Sequence, residues 1–357
     1  MPGQVFPTDA TLQGLRGLFE IVDVFRRAQG DALASFGLGP TECGYRVAAS
    51  RPYWRLRDYG CEEPSQTLLI VATPIKRPYI WDLTPATSAI RYCLRAGMRV
   101  YLLEWLPASR QTGNNGLAEY MLAISECVAK VTNEGAGSRP FLMGHSLGGT
   151  LAAIYSAISP ATINGLVLLA APLCFQPGQS QFRDALVSLV PPTLSADTFP
   201  GSLLSEMSAL ASPGTFVWSR LVDAAFSLAT RQTLEMHARI ERWTLDEISL
   251  PGLLLQQIIN WLYRENRLCS GVLRVGGMRV DPTNLSAPTL AIVNTDDEIA
   301  PAASLKPFIA ALPSQTVRTI EYRGEVGVCL QHLGILVGSE ARAQVWPDII
   351  FWLNSQR

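Results

Sequence analysis

The sequence predicts an α/β fold in which a mostly parallel sheet carries helices on both faces. Apolar runs of strand length alternate with helical patterns up to residue 172 and again from residue 288. Such runs lack the apolar–polar alternation of half-exposed strands, as expected of parallel strands that are buried on both faces. One of these runs ends in a sharp glycine-flanked turn, Gly144-His145-Ser146-Leu147-Gly148, which opens a helical stretch rich in small residues.

The predicted elements before residue 172 alternate regularly. An amphipathic helix at 12–36 opens the chain, and two half-exposed antiparallel strands between Tyr45 and Asp58 form a sheet edge. We expect strands at 67–74, 99–105, 139–143 and 163–171, and helices at 85–96, 117–132 and 147–158. This alternation predicts parallel strands joined by crossover helices.

The alternation stops between residues 173 and 287, a stretch rich in proline and aromatic residues and helical in pattern. It is too long for a simple connection, so we expect a helical cap over the functional site. Beyond it we expect a strand at 288–294, a helix at 301–312, a strand at 316–322 and a last helix ending at residue 354. The predicted organisation is an N-terminal helix (1–40), a first part of the core (41–172), the cap (173–287) and a second part of the core (288–357).

The charge balance gives no indication of nucleic acid or of an anionic membrane surface as a partner. The chain has 29 basic and 30 acidic residues and a formal net charge of −1. Met1 to Ala10 carry neither a basic cluster nor an apolar core, and the longest apolar runs are of strand length. We therefore expect no secretory leader, no membrane span and a cytoplasmic location.

The cysteines and histidines predict neither disulfides nor a metal centre. Seven cysteines are scattered along the chain without a Cys-x-x-Cys pair, and an odd count without a leader indicates reduced thiols. The three histidines are His145, His237 and His332, and none lies in a sequence cluster with cysteine. We expect no metal site and no cofactor.

The glycine-flanked turn matches the nucleophile elbow Gly-x-Ser-x-Gly. Strand and helix approach closely at such a turn, so glycine is needed two residues before and two residues after the nucleophile. Ser146 would stand at a helix N-terminus, where the N–H of Leu147 can stabilise an oxyanion. The alternative is a tight turn with an incidental serine.

A serine nucleophile needs a base and an acid, and in α/β-hydrolases the chain order is serine, acid, histidine. Asp296 and Asp297 follow the strand at 288–294, and His332 lies in the loop after the last strand. We assign His332 as the base and prefer Asp297 to Asp296 as the acid, because of its spacing to Ile299 and Pro301 at the next helix. His145 is beside the nucleophile and His237 lies in a charged cap helix.

The second oxyanion donor is expected in the loop after the strand at 67–74. Pro74 has no N–H, so we assign Ile75. Lys76 and Arg77 follow it and are candidates to meet the phosphates of a coenzyme A or phosphopantetheine arm, with a solvated basic loop as the alternative.

These residues resemble the polyhydroxyalkanoate synthases, a branch of the α/β-hydrolase fold. The resemblance runs from about Tyr45 to the C-terminus, and the length is similar to that of the short class of these enzymes. It is carried by the stretches Leu69–Pro85, Gly144–Ala153, Trp243-Thr244-Leu245-Asp246, Leu250-Pro251-Gly252, Leu262–Leu268 and Asp297–Pro301. The cap stretches are the most specific, since general hydrolase chemistry does not demand them. His145 and Trp243 are further candidate substrate-binding residues, together with Lys76 and Arg77.

The chain departs from that family at three positions. The family uses a cysteine where Ser146 stands, usually a histidine where Glu298 stands, and a glycine where Gln331 stands. An acyl-cysteine is a thioester that stays activated for repeated transfer, whereas an acyl-serine is an ordinary ester. Serine therefore favours hydrolysis, or transfer to a hydroxyl or an amine, over chain elongation.

The leading hypothesis is acyl transfer through an acyl-Ser146 intermediate, from a thioester or ester to water or a small nucleophile. One alternative is a synthase or a carrier-to-carrier acyl or aminoacyl transferase in a biosynthetic pathway. The other is a non-catalytic binding protein that keeps the fold. An acyl-coenzyme A or an acyl-carrier protein is the expected donor, and the oligomeric state, a dimer included, stays open.

Overall fold

The computed structural model describes residues 9–61, 64–135, 137–194, 196–313 and 317–356, with side chains from residue 14 onward. Residues 1–8, which hold most of the stretch expected to lack leader features, lie outside this description.

Twelve strands and twelve helices occur in the described part of the chain. The strands are β1 (Arg46–Arg51), β2 (Trp54–Asp58), β3 (Gln66–Val71), β4 (Met98–Trp105), β5 (Phe141–His145), β6 (Gly165–Leu169), β7 (Thr198–Phe199), β8 (Leu250–Pro251), β9 (Arg274–Val275), β10 (Met278–Arg279), β11 (Thr289–Asn294) and β12 (Val317–Tyr322). The helices are α1 (Asp9–Leu33), α2 (Ala89–Arg95), α3 (Leu117–Glu134), α4 (Leu147–Ile158), α5 (Gln181–Leu189), α6 (Gly201–Ala211), α7 (Ser219–Ser227), α8 (Arg231–Thr244), α9 (Gly252–Gln257), α10 (Lys306–Ala311), α11 (Gly334–Val337) and α12 (Trp346–Ser355).

Eight strands form one sheet in the order β1-β2-β4-β3-β5-β6-β11-β12. The six strands from β4 to β12 in this order run parallel, and β2 joins β4 antiparallel, with β1 antiparallel to β2 at the edge. All residues of β5, β6 and β11 are buried, as expected of continuous apolar strands covered on both faces. The predicted α/β fold and its antiparallel edge are confirmed. The expectation that both edge strands are half-exposed is wrong for β2, which is mostly buried because β1 and β4 flank it.

Two predicted helices are shorter than the sequence pattern indicated, each for a local reason. The helix expected at 85–96 begins at Ala89, because the hydroxyl of Ser88 accepts the N–H of Arg91 at 2.9 Å and caps it there. The helix expected at 301–312 is a 3-10 turn at Ala302–Ser304 followed by α10. Pro307 near the start of α10 has no N–H to continue a helix from the preceding turn.

The segment from 173 to 287, called the cap segment below, is mostly helical. It contains α5 to α9 and only two-residue strands, which pair as β7 with β8 and β9 with β10. Helix α1 packs against α6 and α8 of this segment. Asp23 of α1 accepts the N–H groups of Gly201 and Ser202 at 3.3 and 2.9 Å, which caps the N-terminus of α6.

The expectation that all seven cysteines are reduced is wrong for one pair. Cys174 and Cys269 form a disulfide across 95 residues of sequence, with their Cα atoms 5.0 Å apart. Five cysteines are free. Composition could not reveal this pair. Cys174 follows β6 and Cys269 lies 95 residues later, and the two meet only after the cap segment has folded.

Among the described residues, no helix combines the length and the apolar character that a bilayer crossing requires.

Candidate active site

Ser146 occupies a strained turn between β5 and α4. Its φ of 55° and ψ of −134° lie outside the usual regions for a residue with a side chain. The N–H of Ser146 donates to the carbonyl of Leu169 on the neighbouring strand at 3.0 Å, which fixes the turn to the sheet. The strain presents the hydroxyl at the N-terminus of a twelve-residue helix, as a nucleophile elbow requires.

The flanking glycines are required by the close approach of strand and helix. A Cβ atom on Gly144 would lie 2.5 Å from the nitrogen of Gly149, and one on Gly149 would lie 2.6 Å from the Cβ of Ala171. A Cβ on Gly148 would collide with the carbonyl of Val71. The turn therefore excludes side chains at these positions.

Asp297 follows β11 and points its two carboxylate oxygens at different partners. Oδ1 accepts the N–H groups of Ile299 and Ala300 at 2.9 and 3.1 Å, and Oδ2 lies 2.6 Å from Nδ1 of His332. Burial by itself would raise the pKa of this carboxyl, but His332 and the two N–H groups hold the pKa below its usual value. Asp297 is thus ionised and oriented. Asp296, the alternative acid, is exposed.

His332 lies in a 3-10 turn in the loop after β12 and is buried. Because a carboxylate only accepts hydrogen bonds, the contact with Asp297 places the proton of a neutral imidazole on Nδ1. Nε2 is buried and has no hydrogen-bond partner among the described residues. Its lone pair is therefore free to accept a proton from a nucleophile.

His145 contacts His332 through a hydrogen bond and through its ring. Its Nε2–H donates to the main-chain carbonyl of His332 at 2.7 Å, and the two rings lie 4.6 Å apart. Burial, followed by the proximity of His332, lowers the pKa of His145 to about 3, so the ring is neutral. Its expected role in substrate binding stays a prediction; the contact with His332 was not foreseen.

The loop after β12 is also held by groups that the sequence analysis did not single out. Asn294 Nδ2 donates to the carbonyl of Gln331 at 2.7 Å. The Gln331 side chain accepts the N–H of Glu325 and donates to its carbonyl, at 3.0 and 2.9 Å. Buried Glu325 in turn accepts the hydroxyl of Tyr322 at 2.7 Å. The only sequence signal was the unusual glutamine beside His332.

Leu147 and Ile75, the two predicted oxyanion donors, lie at the start of α4 and in the turn after β3, as expected. Leu147 is the first residue of α4, so its N–H has no acceptor within the helix. The N–H of Ile75, in the turn after β3, donates to no acceptor in the part of the chain that the structure describes. Both groups are available for an oxyanion; that role stays a prediction.

Lys76 and Arg77 lie against the cap segment, and both contact Trp243 of α8. Lys76 Nζ donates to Glu247 Oε1 at 2.8 Å and lies 5.6 Å from the centre of the Trp243 ring. Arg77 is within 4 Å of Glu104 and Asp246, and its carbonyl accepts the indole N–H of Trp243 at 2.8 Å. These side chains are engaged with protein groups, and their predicted contacts with a donor stay predictions.

The cap segment contacts both loops that carry the acid and the base. Glu298, next to Asp297, accepts the hydroxyl of Thr215 in a short hydrogen bond. The N–H of Gly327, in the loop that leads to His332, donates to Asp223 of α7 at 3.2 Å. These contacts place the cap segment over the carboxyl ends of β11 and β12.

One cluster brings together a cysteine and a histidine that are far apart in the sequence. Cys329 Sγ lies 3.1 Å from Nδ1 of His237, and ligand atoms of these residues and Glu241 lie within 4.8 Å of one another. Sequence spacing could not show this, because the loop before His332 folds back onto α8. Arg220 already pairs with Glu241 through two nitrogens. Burial raises the pKa of the Cys329 thiol, which opposes metal binding.

Comparison with known proteins agrees with the observed fold. A family model described as the alpha/beta hydrolase fold matches residues 87–325. Two solved structures have the same fold: a monoacylglycerol lipase from Paleococcus ferrophilus and a carboxylesterase from Nitrososphaera gargenis. The first has a TM-score of 0.55 at 19% identity, covering 85% of this chain and 99% of the lipase. The second has a TM-score of 0.53 at 15% identity, covering 88% of this chain and 98% of the other.

Similar sequences include several described as poly(3-hydroxyalkanoate) polymerase subunit PhaC. Those from Haloarcula marismortui and Haloferax mediterranei are 29% and 30% identical over 83% and 91% of this chain. The chain spans only 62% and 66% of the length of these two relatives. The subunit from Allochromatium vinosum is 26% identical, with 90% of each chain covered.

Proposed function

Since the chain belongs to the α/β-hydrolase fold family, we propose that it is a serine-dependent acyl-transfer enzyme working through an ester on Ser146. One observation carries this proposal. The buried imidazole of His332 donates from Nδ1 to ionised Asp297, and its Nε2 has no partner among the described residues. This imidazole lies in a loop beside the strained serine turn. That combination is what activation of a serine hydroxyl requires.

The proposed reaction begins with attack of the Ser146 hydroxyl oxygen on the carbonyl carbon of an acyl thioester. His332 Nε2 takes the hydroxyl proton, and Asp297 stabilises the resulting imidazolium. The N–H groups of Ile75 and Leu147 would stabilise the oxyanion. Collapse breaks the carbon–sulfur bond, and His332 returns the proton to the leaving thiolate. The products of this half-reaction are a free thiol and an acyl ester on Ser146.

The second half-reaction transfers the acyl group to an acceptor. Water, a hydroxyl or an amine gives its proton to His332 and attacks the ester, and Ser146 leaves with that proton. Return of the acyl group to a thiol is uphill, because an oxygen ester is less activated than a thioester. This asymmetry supports water or a small oxygen or nitrogen nucleophile as the acceptor. A coenzyme A or carrier-protein donor and a cytoplasmic location belong to the proposal.

Polymer synthesis is the second candidate, and similarity to poly(3-hydroxyalkanoate) polymerase subunits favours it. Repeated elongation would need the acyl chain to remain activated on the enzyme. Ser146→Cys would restore a thioester intermediate at the same position. Growth of a product chain with wild-type protein, before any substitution, would support this candidate over simple transfer.

Intact-mass measurement with a panel of acyl-coenzyme A and acyl-carrier donors tests the proposal. We expect an adduct of the acyl mass on the wild-type protein and none on Ser146→Ala. Decay of the adduct to free acid identifies a thioesterase or esterase, and persistence until a particular acceptor is added identifies a transferase. An adduct of equal yield on Ser146→Ala, or none on the wild type with any donor, contradicts the proposal.

A further inference from the structure

A buried ion cluster lies beside the loop that carries Ile75. The carboxylate of Glu247, whose side chain is 1% exposed, accepts Lys76 Nζ at 2.8 Å. It accepts two nitrogens of Arg26 at 2.6 and 3.1 Å and the hydroxyl of Ser205 at 2.6 Å. We call Glu247, Lys76 and Arg26 the Glu247 cluster.

The Glu247 cluster joins three parts of the fold that are far apart in sequence. Arg26 belongs to α1, Lys76 to the loop after β3, and Glu247 to the cap segment between α8 and β8. Lys76 and Arg26 also both donate to the main-chain carbonyl of Thr244, which closes α8. The opening helix is thereby connected to the loop beside the serine turn.

Main-chain hydrogen bonds also join the loop after β3 to the cap segment. Ile248 N–H donates to the carbonyl of Ile75 at 3.1 Å, and Arg77 N–H donates to the carbonyl of Asp246 at 3.3 Å. These two bonds form an isolated antiparallel bridge between Lys76 and Glu247. The loop at 72–77 has no helix or strand of its own. Its first residue, Ala72, is bonded to β4, whereas residues 75–77 are bonded to the cap segment. Lys76 and Glu247 of the cluster are the bridging residues themselves.

The Glu247 cluster is costly to bury, because its charged groups are largely removed from water. Lys76 and Arg26 both contact the carboxylate of Glu247, and Arg26 also lies 4.0 Å from the exposed carboxylate of Glu206. Burial lowers the pKa of the Lys76 ammonium to about 8 although Glu247 opposes the shift. Burial would raise the pKa of Glu247, but Lys76 and the hydrogen bonds from Arg26 and Ser205 hold it below its usual value. A buried ion pair contributes little net stability compared with apolar packing, so stability alone is a weak reason for such a cluster.

We propose that Lys76 and Glu247 are positioning residues that hold the Ile75 N–H where the oxyanion forms, and that Arg26 makes α1 part of this support. The inference rests on the proposed function, because it needs an oxyanion on the substrate of Ser146. It assigns Lys76 a role inside the protein, as distinct from a contact with the donor's phosphates. Displacement of one oxyanion donor reduces the stabilisation of the transition state but leaves the nucleophile in place.

Lys76→Met is the variant that tests the role most directly. It keeps the aliphatic stem and leaves Glu247 paired with Arg26, so we expect the fold to be retained. The readouts are the rate constant of Ser146 phosphonylation by a fluorophosphonate, per titrated active site, and the affinity for a trifluoromethyl ketone. We expect both to fall by about 10- to 100-fold in parallel. Binding of a non-hydrolysable thioether analogue, which forms no oxyanion, should change less than twofold.

Two further variants complete the experiment. Lys306→Met is the matched control, since Lys306 pairs with Glu321 at 2.9 Å on the surface, and it should react like the wild type. Arg26→Met substitutes a residue of α1, and it should lower both the phosphonylation rate constant and the affinity for the trifluoromethyl ketone. Lys76→Arg, which keeps the charge, should recover part of the loss. If Lys76→Met does not fold, Arg26→Met decides the question.

The outcomes separate this inference from the proposed function. A per-site rate equal to wild type in both Lys76→Met and Arg26→Met overturns the positioning role while leaving the acyl-enzyme intact. Fewer titrated sites with an unchanged rate per site indicate a purely structural role and also overturn it. Failure of the wild-type protein to react with the fluorophosphonate overturns the serine mechanism and this inference together. Reaction with the fluorophosphonate but with no acyl donor overturns only the proposed substrate class.

Discussion

The Nε2 atom of His145 lies 2.7 Å from the main-chain carbonyl oxygen of His332, the proposed general base. The residue before the nucleophile thus supports the residue that activates it. A protonated His145 could still donate from Nε2, but its charge would be buried next to an imidazole that must itself accept a proton. The pKa of about 3 keeps the His145 ring neutral near pH 7.

This buried histidine makes a pH-dependent contribution to stability. The unfolded chain protonates His145 near pH 6.5, whereas the folded chain does so only near pH 3, so the unfolded state binds more protons between these values. The free energy of unfolding should fall on acidification, by up to about 1.4 kcal/mol per pH unit from this group. His145→Asn, which can still donate to the carbonyl, should show a shallower slope.

Urea unfolding of both proteins at pH 8, 7, 6 and 5 measures this difference. Above pH 7 His145 is neutral in both states, so the two proteins should share one slope there, which serves as the internal control. Parallel curves from pH 7 down to pH 5 would falsify the prediction.

The two adjacent carboxylates after β11 should differ sharply in their effect on catalysis. Asp297 contacts His332, so Asp297→Asn should lower kcat by about 10³- to 10⁴-fold, because the amide no longer holds the required tautomer. Asp296 is exposed, so Asp296→Asn is the matched control and should change kcat less than twofold. Turnover of the best acyl donor is the measurement. A larger loss in Asp296→Asn than in Asp297→Asn contradicts the assignment.

Local patterns predicted the parts of the fold and site that depend on neighbours in sequence. Gly144, Gly148 and Gly149 indicated a close strand–helix approach, and each lies where a Cβ would collide. The spacing of Asp297 to Ile299 indicated the acid, and its Oδ1 accepts the Ile299 N–H. These features are set by backbone geometry over a few residues.

Contacts between distant segments were not predictable in this way. Glu247 lies 171 residues from Lys76, and Cys174 lies 95 residues from Cys269. Nothing in the local pattern of either partner specifies the other, because the cap segment must first fold onto the core. The opening helix was predicted only as an amphipathic helix, and its Arg26 contacts Glu247, which in turn contacts Lys76 in the loop beside the serine turn.

The disulfide between Cys174 and Cys269 should be detectable chemically. Alkylation of the denatured protein without reductant should label five thiols, and labelling after reduction should reach seven. Because the bond closes a loop of 95 residues, Cys174→Ala should lower the free energy of unfolding by about 2 to 4 kcal/mol. Cys61→Ser, at a free and partly exposed cysteine, is the control. Seven labelled thiols without reductant contradict the pairing.

The contact of Glu298 with the cap segment should regulate how readily the cap opens. Asp297 and His332 are buried, and we expect them to become more accessible when the cap segment moves. The Glu298 carboxylate accepts the hydroxyl of Thr215 and lies 3.5 Å from that of Ser212, both in the turn between α6 and α7. Each such hydrogen bond contributes about 1 kcal/mol, so losing one should favour the open form by about fivefold and losing both by about 30-fold.

Hydrogen exchange of residues 212–227, followed by mass spectrometry, measures this opening. We expect Glu298→Ala and Thr215→Val each to accelerate exchange in these residues, and the double variant to add little, because both remove the same contact. Exchange in β5 and β6 should be unchanged, since the sheet does not take part. Glu321→Ala, which removes an exposed carboxylate from β12, is the control. Unchanged exchange in both single variants would mean that the other cap contacts, among them that of Asp223 with Gly327, are sufficient to hold the segment closed.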